Sequence, residues 1–130
     1  MKSFQKTYTI KAPVKTVWQA LTDAEIIAKW GGGPCDMESN TDFQFSLWGG
    51  QIFGKNTQVS PGKKLAQEWS AGNWDQPSVV VFELKSSGGK TELSLSQTDI
   101  PDGEFKEIKA GWDKYYIGPL KELAEKLANE

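Results

Sequence analysis

The chain has 130 residues and a formal net charge of −2, with 25% charged residues, values typical of one soluble folded domain spanning residues 1–130. All fifteen positive charges are lysines, and the absence of arginine argues against nucleic-acid or phosphate recognition, for which the guanidinium group is preferred. No histidine is present, which excludes Ser-His-Asp and Cys-His catalysis and histidine-ligated metal sites, and a single cysteine excludes an internal disulfide.

The first elements are predicted to be a strand and a helix. Alternating apolar side chains predict a strand over Phe4–Lys11. Pro13 suits a first helical turn, and apolar residues then recur at helical spacing, which predicts a helix over Val14–Thr22.

A second short helix follows directly. Thr22 and Glu25 have the spacing of a capping box, which predicts that this helix begins at Asp23 and continues to Trp30. The run Gly31-Gly32-Gly33-Pro34 ends it, because glycine and proline interrupt helices.

The central region predicts an antiparallel meander, because Gly-Gly and Pro-Gly pairs separate short β-rich runs at near-hairpin spacing. The predicted strands are Asp42–Trp48, Gln51–Ser60, Lys64–Trp69, Ser78–Ser86 and Lys90–Asp99, with a loop over Ser70–Pro77 and a possible extra strand over Cys35–Glu38. Together with the helices they predict an α+β fold whose helices lie on one face of the sheet.

The last thirty residues predict one long amphipathic helix, Asp102–Leu127, with an unusually aromatic apolar stripe. The stripe consists of Phe105, Ile108, Trp112, Tyr115, Tyr116, Leu120, Leu123 and Leu127. Pro119 after Gly118 predicts a kink, because proline removes one helical hydrogen bond.

A pocket between this helix and the sheet is the predicted site. Alternation along the strands turns Leu93, Leu95, Gln97 and Asp99 toward the helix, and Trp48 toward the back face or an interface. The predicted ligand-binding residues combine large apolar groups with a few polar ones, a mixture typical of ligand sites. They are Phe45, Trp69, Trp74, Phe82, Leu95, Gln97, Trp112, Tyr115 and Tyr116.

The ligand is expected to enter near the Ser70–Pro77 loop, with Gly72-Asn73-Trp74 as a gate and Gln97 or a tyrosine hydroxyl orienting its polar end. The alternative is that these side chains only fill the core. Glu68, Asp99 and the two tyrosines are the only acid–base candidates for catalysis, and their spacing forms no catalytic constellation. Cys35 is expected to be an inert buried thiol.

Short blocks distributed along nearly the whole chain carry a family resemblance. In order they are Ala12–Thr22, Trp30, Trp48-Gly49-Gly50, Gly54, Val59–Leu65, Glu68-Trp69, Thr91–Leu93 and Gly111-Trp112. The chain thereby resembles the activator of heat-shock-protein-90 ATPase homologue family, within the START-like (SRPBCC) superfamily. The segment Ile100–Tyr116 is especially similar to the C-terminal domain of the eukaryotic co-chaperone.

The resemblance implies a helix-grip fold, in which a curved antiparallel sheet surrounds a long C-terminal helix. It also implies that a chaperone partner is possible, although this sequence has no counterpart of the co-chaperone's separate N-terminal domain. Three functions follow. The preferred one is a non-enzymatic domain that binds a small hydrophobic or amphipathic ligand; the second is a co-chaperone-type interaction module; the third, a cyclase-like enzyme, lacks residue support.

The remaining expectations concern location and partners. The N-terminal residues contain no apolar signal core, and no run of residues approaches a membrane span, which predicts a cytoplasmic protein without a membrane segment. We expect a monomer that binds no cofactor, no metal and no nucleic acid.

Overall fold

The computed structural model describes residues 1–72 and 74–129, so Asn73, within the predicted gate, and Glu130 lie outside the described residues. Six antiparallel strands form one curved sheet in the order β1-β6-β5-β4-β3-β2. The strands are β1 (Lys2–Ile10), β2 (Gln44–Leu47), β3 (Ile52–Ser60), β4 (Lys64–Ser70), β5 (Ser78–Ser87) and β6 (Lys90–Ile100). The predicted α+β helix-grip fold is confirmed, and every strand boundary lies within two residues of its prediction.

Two short helices follow β1, α1 (Val14–Thr22) and α2 (Ala24–Trp30). The predicted capping box at Thr22 is wrong: the side chain of Asp23 caps α2 by accepting from the backbone N–H groups of Glu25 and Ile26. The hydroxyl of Thr22 instead donates to the Trp18 carbonyl, because Thr22 still belongs to α1.

The C-terminal helical segment comprises α3 (Phe105–Gly111), a π-helical segment (Trp112–Ile117) and α4 (Gly118–Ala128). The irregularity predicted at Pro119 takes the form of this wide π-helical turn directly before it. Because the π-helical turn holds an extra residue, the apolar stripe shifts along the chain. Tyr116 and Ile117 are buried, whereas Tyr115, predicted to lie in the stripe, is 56% exposed.

The core lies between the concave face of the sheet and the helices. Alternate residues of β5 and β6 face it, including Val80, Phe82, Leu93 and Leu95, all fully buried. The prediction that Asp99 continues this series is wrong: its φ of +58° breaks the alternation, so that Ile100 is buried in its place.

The possible extra strand over Cys35–Glu38 is not formed. Asp36 instead makes an isolated antiparallel bridge to Ser46 of β2.

Among residues 1–72 and 74–129, no helix is long and apolar enough to cross a membrane.

Candidate functional site

An apolar groove opens between the Trp48 end of the sheet and the C-terminal helical segment. Its volume is about 150 Å³. The aromatic groove, as we call it, is lined by Trp48, Ile52, Trp69, Ile108, Gly111, Trp112, Tyr115 and Tyr116. A larger depression of about 530 Å³ lies over Phe53, Lys55 and Glu68 on the outer face of the sheet, where polar side chains predominate. Apolar enclosure, which a small-molecule site requires, is therefore found in the aromatic groove.

Trp48 reaches the groove from a strained turn. Its backbone lies in the left-handed region at φ +50°, which is unusual for a bulky side chain. Residues held in such conformations cluster at binding and active sites, because the surrounding structure must stabilise them at a cost. From this turn the indole of Trp48 meets the ring of Tyr116 in an edge-to-face contact, at a centroid distance of 6.1 Å and an interplanar angle of 76°.

The glycine run after α2 supplies the contacts that hold Trp48 in place. Gly31 ends α2 in the left-handed conformation, which leaves the carbonyls of the run free to accept. The indole N–H of Trp48 donates to the Gly31 carbonyl over 2.9 Å, and its backbone N–H donates to the Gly32 carbonyl over 2.8 Å. Trp48 was predicted to face the back of the sheet or an interface; the back-face placement is wrong, because the ring packs against Tyr116 in the groove, and the interface stays a prediction.

The opposite wall is the π-helical segment, which contributes Trp112, Tyr115 and Tyr116. Single π-helical turns occur frequently at functional sites. Asp113 fastens this segment to β1: its carboxylate accepts from the Tyr8 hydroxyl over 2.6 Å and from the Lys6 ammonium over 2.9 Å. These hydrogen bonds, the one from Tyr8 first, lower the pKa of Asp113 below its ordinary value.

Gly111 lies in the groove wall without any backbone requirement for glycine. Its φ is −64°, and a Cβ built on it would meet only the ring of Tyr115, at an ordinary 3.7 Å. Glycine in a helix costs about 1 kcal/mol relative to alanine, so this position gives up helix stability. What the missing side chain provides is space in the groove.

Two fully buried glutamines hold the indoles of the groove. Trp112 donates to the Gln97 side-chain oxygen over 2.8 Å, and the Gln97 amide donates to Ser78 over 2.9 Å. Trp69 donates to Gln67 over 2.7 Å, and the Gln67 amide donates to Asn56 over 2.9 Å. Gln97, predicted to orient a ligand, is thus engaged in positioning Trp112.

Tyr116 lies at the centre of an aromatic cluster. Its ring centroid is 4.7 Å from Trp30, 4.8 Å from Trp112 and 5.6 Å from Phe82. Its hydroxyl is buried and has no hydrogen-bond partner among the described residues. Burial, with a smaller contribution from Cys35, raises the pKa of this hydroxyl well above its ordinary value.

The predicted ligand residues divide into three groups. Trp69, Trp112, Tyr115 and Tyr116 line the aromatic groove. Phe45, Phe82, Leu95 and Gln97 are buried in the core behind it. Trp74 packs against the core but lines a separate depression with Gln76 and Pro101, away from the groove.

Four lining residues escaped the sequence analysis as site residues, namely Trp48, Ile52, Ile108 and Gly111. Ile108 was recognisable, because it lies one turn before Trp112 in the predicted apolar stripe, and Gly111 was recognisable as the residue directly before Trp112. Trp48 and Ile52 could not be recognised as site residues, because the Trp48–Gly50 turn between β2 and β3 departs from strand alternation.

Reactive groups are few near the groove. Burial, with a smaller contribution from Asp36, raises the pKa of the Cys35 thiol, which donates to the Ala24 carbonyl over 3.3 Å. Within the described part of the chain, no three acidic, cysteine or histidine side chains are grouped to hold a metal ion. The arrangement can therefore enclose an apolar group and position it by ring stacking.

Comparison with known proteins establishes the family. The family profile described as "Activator of Hsp90 ATPase homolog 1-like protein" matches residues 11–125. The chain belongs to this family. The "Activator of 90 kDa heat shock protein ATPase homolog" of Dictyostelium discoideum is 34% identical over 90 residues, which are 67% of this chain and 24% of that protein. The chain spans about a third or less of the length of such curated relatives.

Solved structures of single domains agree with the fold. The Plasmodium falciparum protein PFC0360w, described as an HSP90 activator, superposes with a TM-score of 0.87 at 24% identity, covering 95% of this chain and 96% of that one. Protein MLL2253 of Mesorhizobium loti gives 0.85 at 22% identity, covering 96% and 98%. At these identities the likeness concerns the fold alone.

Proposed function

We propose that the chain is a non-enzymatic binding domain whose aromatic groove takes one small apolar or amphipathic ligand. The observation that carries this proposal is that two residues in the lining of the groove each carry an energetic cost. Trp48 has a strained backbone, and Gly111 weakens its helix. Natural sequences accept such costs chiefly at functional sites.

The volume of the groove limits the size of the ligand. An apolar cavity of about 150 Å³ holds one benzene-sized ring. Fatty acids and sterols are larger, so they would require the core behind the groove to open. We therefore narrow the expected ligand from hydrophobic molecules in general to those with a single ring.

The test is a titration of the ¹⁵N-labelled protein with toluene, followed through the indole N–H signals. Trp48, Trp69 and Trp112 should shift saturably, whereas Trp18, which does not line the groove, should not. Gly111→Ala should weaken toluene binding, because its added methyl group occupies the groove, while raising thermal stability. Toluene shifts that never saturate, or that affect all indoles alike, would overturn the proposal.

A second candidate is a co-chaperone-type interaction module. The names of the relatives favour it, and so does Tyr115, which is 56% exposed on the rim of the groove where a partner protein could contact it. Exposed aromatic side chains are enriched among the residues that dominate protein interfaces.

This candidate predicts that the chain alters the ATPase rate of a purified 90 kDa heat shock protein. Tyr115→Ser should abolish that effect. Phe53→Ser is the matched control, since Phe53 is 45% exposed but lies on the outer face of the sheet. If both variants behave as the wild type does, the groove rim is not the interface.

A further inference from the structure

The π-helical segment contains one residue more than its buried face requires. Counted without one residue between Trp112 and Tyr116, the buried positions have the spacing i, i+3, i+4 and i+7 of a regular amphipathic helix. They are Trp112, Tyr116, Ile117 and Leu120. The wide π-helical turn accommodates the surplus residue. As a result Tyr115 lies at the rim of the groove, exposed to solvent, instead of within the buried stripe.

Tyr115 is held less firmly than the other aromatic residues that line the groove. Each of the others is fixed by a hydrogen bond from its indole or by ring stacking; they are Trp48, Trp69, Trp112 and Tyr116. Within the described part of the chain, the side chain of Tyr115 makes no hydrogen bond and stacks on no other ring. The Lys114 ammonium lies 5.1 Å from its ring centroid, a contact that is weak at an exposed site. Tyr115 is therefore the adjustable wall of the groove.

Gly111 leaves room beside the ring of Tyr115. A Cβ at Gly111 would already meet this ring at 3.7 Å, so any longer side chain there would press on it. Exposed side chains change rotamer within nanoseconds. With glycine at this position, the Tyr115 ring can turn over the groove and away from it.

We infer that Tyr115 is the specificity-determining residue of the aromatic groove: its ring closes the groove over a single aromatic ring of the ligand and excludes a second, fused ring. This inference rests on the proposed function and names the residue that limits its ligand. The volume of about 150 Å³ is bounded on one side by the Tyr115 ring and on the other by the fixed indoles. Removing the Tyr115 ring therefore extends the groove to the protein surface.

The experiment compares toluene, which has one ring, with benzofuran, which has two fused rings. Neither compound carries a hydrogen-bond donor, so they differ chiefly in size. Both are titrated into the ¹⁵N-labelled wild type and Tyr115→Ala, with the indole N–H signals of Trp48 and Trp112 as the readout. The wild type should bind toluene more tightly than benzofuran, although benzofuran has the larger apolar surface.

Tyr115→Ala should weaken toluene binding, because toluene loses its contact with the ring, and strengthen benzofuran binding. The ratio of the two affinities should change by about tenfold or more, as small size differences do in apolar pockets. Tyr115→Phe keeps the ring and should leave this ratio unchanged. Phe53→Ala is the matched control, because it removes an exposed aromatic ring from the outer face of the sheet, and it should change neither affinity.

The ratio of affinities distinguishes a role in specificity from a merely structural one, which would weaken both compounds alike. If toluene binds the wild type saturably and Tyr115→Ala leaves the ratio unchanged, Tyr115 does not limit ligand size, while the groove remains a binding site. If neither compound binds the wild type, the proposed function fails and the inference fails with it. Because Tyr115 is exposed and alanine favours the helix, Tyr115→Ala should fold, which a thermal melt verifies.

Discussion

Gly118 lies directly against the backbone carbonyl of Asp113, five residues earlier in the helix. Its N–H donates to that carbonyl and closes the π-helical turn. A Cβ built on Gly118 would clash with that carbonyl oxygen, and because the oxygen belongs to the backbone, no side-chain movement can relieve the clash. Only glycine fits where the π-helical segment passes into α4.

Two alanine substitutions in the same helical segment should therefore have opposite effects. Gly118→Ala should lower the free energy of unfolding by about 1–3 kcal/mol, because the backbone must move. Gly111→Ala should raise it by about 0.5–1 kcal/mol, because its methyl group meets no clash and alanine favours the helix. Urea denaturation of both variants measures this; equal shifts of the two midpoints would contradict the π-helical geometry.

Gln97 should be required for stability through its hydrogen bond to Trp112. Gln97→Leu leaves the buried indole N–H of Trp112 without an acceptor, at a cost of about 1–3 kcal/mol. Trp112→Ala should cost about 3–5 kcal/mol through the cavity that it creates. Gln97→Leu should lower the free energy of unfolding less in a Trp112→Phe background than in the wild type, because phenylalanine has no N–H that needs Gln97. Additive losses in denaturant midpoints would show that the hydrogen bond contributes nothing.

Gly54 should be irreplaceable in β3. A Cβ there would lie within bonding distance of the Glu68 backbone carbonyl, with the ring of Phe45 close behind it. Gly54→Ala should therefore cost about 1–3 kcal/mol. Gly103→Ala, where a Cβ meets nothing within 4 Å, is the control and should change stability little. The melting temperatures of Gly54→Ala and Gly103→Ala measure the difference. If Gly54→Ala is as stable as Gly103→Ala, β3 and β4 lie farther apart than the structure shows.

The Asp113 contacts should make stability depend on pH in acid. Because folding lowers the pKa of Asp113 below its ordinary 3.8, its contribution is full above that value. The contribution is lost as the pH falls through the folded-state pKa, when the carboxylate is protonated. Wild type should therefore exceed Asp113→Asn in urea midpoint at neutral pH, and the difference should shrink below about pH 4. If the difference in urea midpoint stays constant down to about pH 2.5, the ionised Asp113 carboxylate is not its source. Glu107→Gln, at an exposed position, serves as the control.

The sequence predicted the fold well because the decisive signals are local. Turn pairs such as Gly88-Gly89 mark hairpins, and the apolar spacing over Val14–Thr22 and Phe105–Leu127 marks helices. The family blocks then predicted how these elements assemble. Asp23 rather than Thr22 became the cap because both residues suit the position, and only the point at which α1 ends decides between them.

The groove was harder to predict, because its members depend on departures from regular geometry. The π-helical turn exposes Tyr115 and buries Ile117, an exchange that a fixed angle per residue cannot reveal. Trp48 turns inward through a left-handed backbone conformation that few bulky residues adopt. The engagement of Gln97 with Trp112 depends on side-chain directions in two separate elements.

The pairing of the first strand with the last has a consequence for synthesis. β1 pairs only with β6 among the described strands, in a register that joins Lys2 to Ile100. On the ribosome, β1 emerges before the other strands and must wait, without its partner, until β6 has been translated. The β2–β5 meander can form during that interval through neighbouring hairpins, but the sheet is completed only after β6 has emerged. Slowing translation before Lys90 should therefore lengthen the period during which the nascent chain is open to proteases.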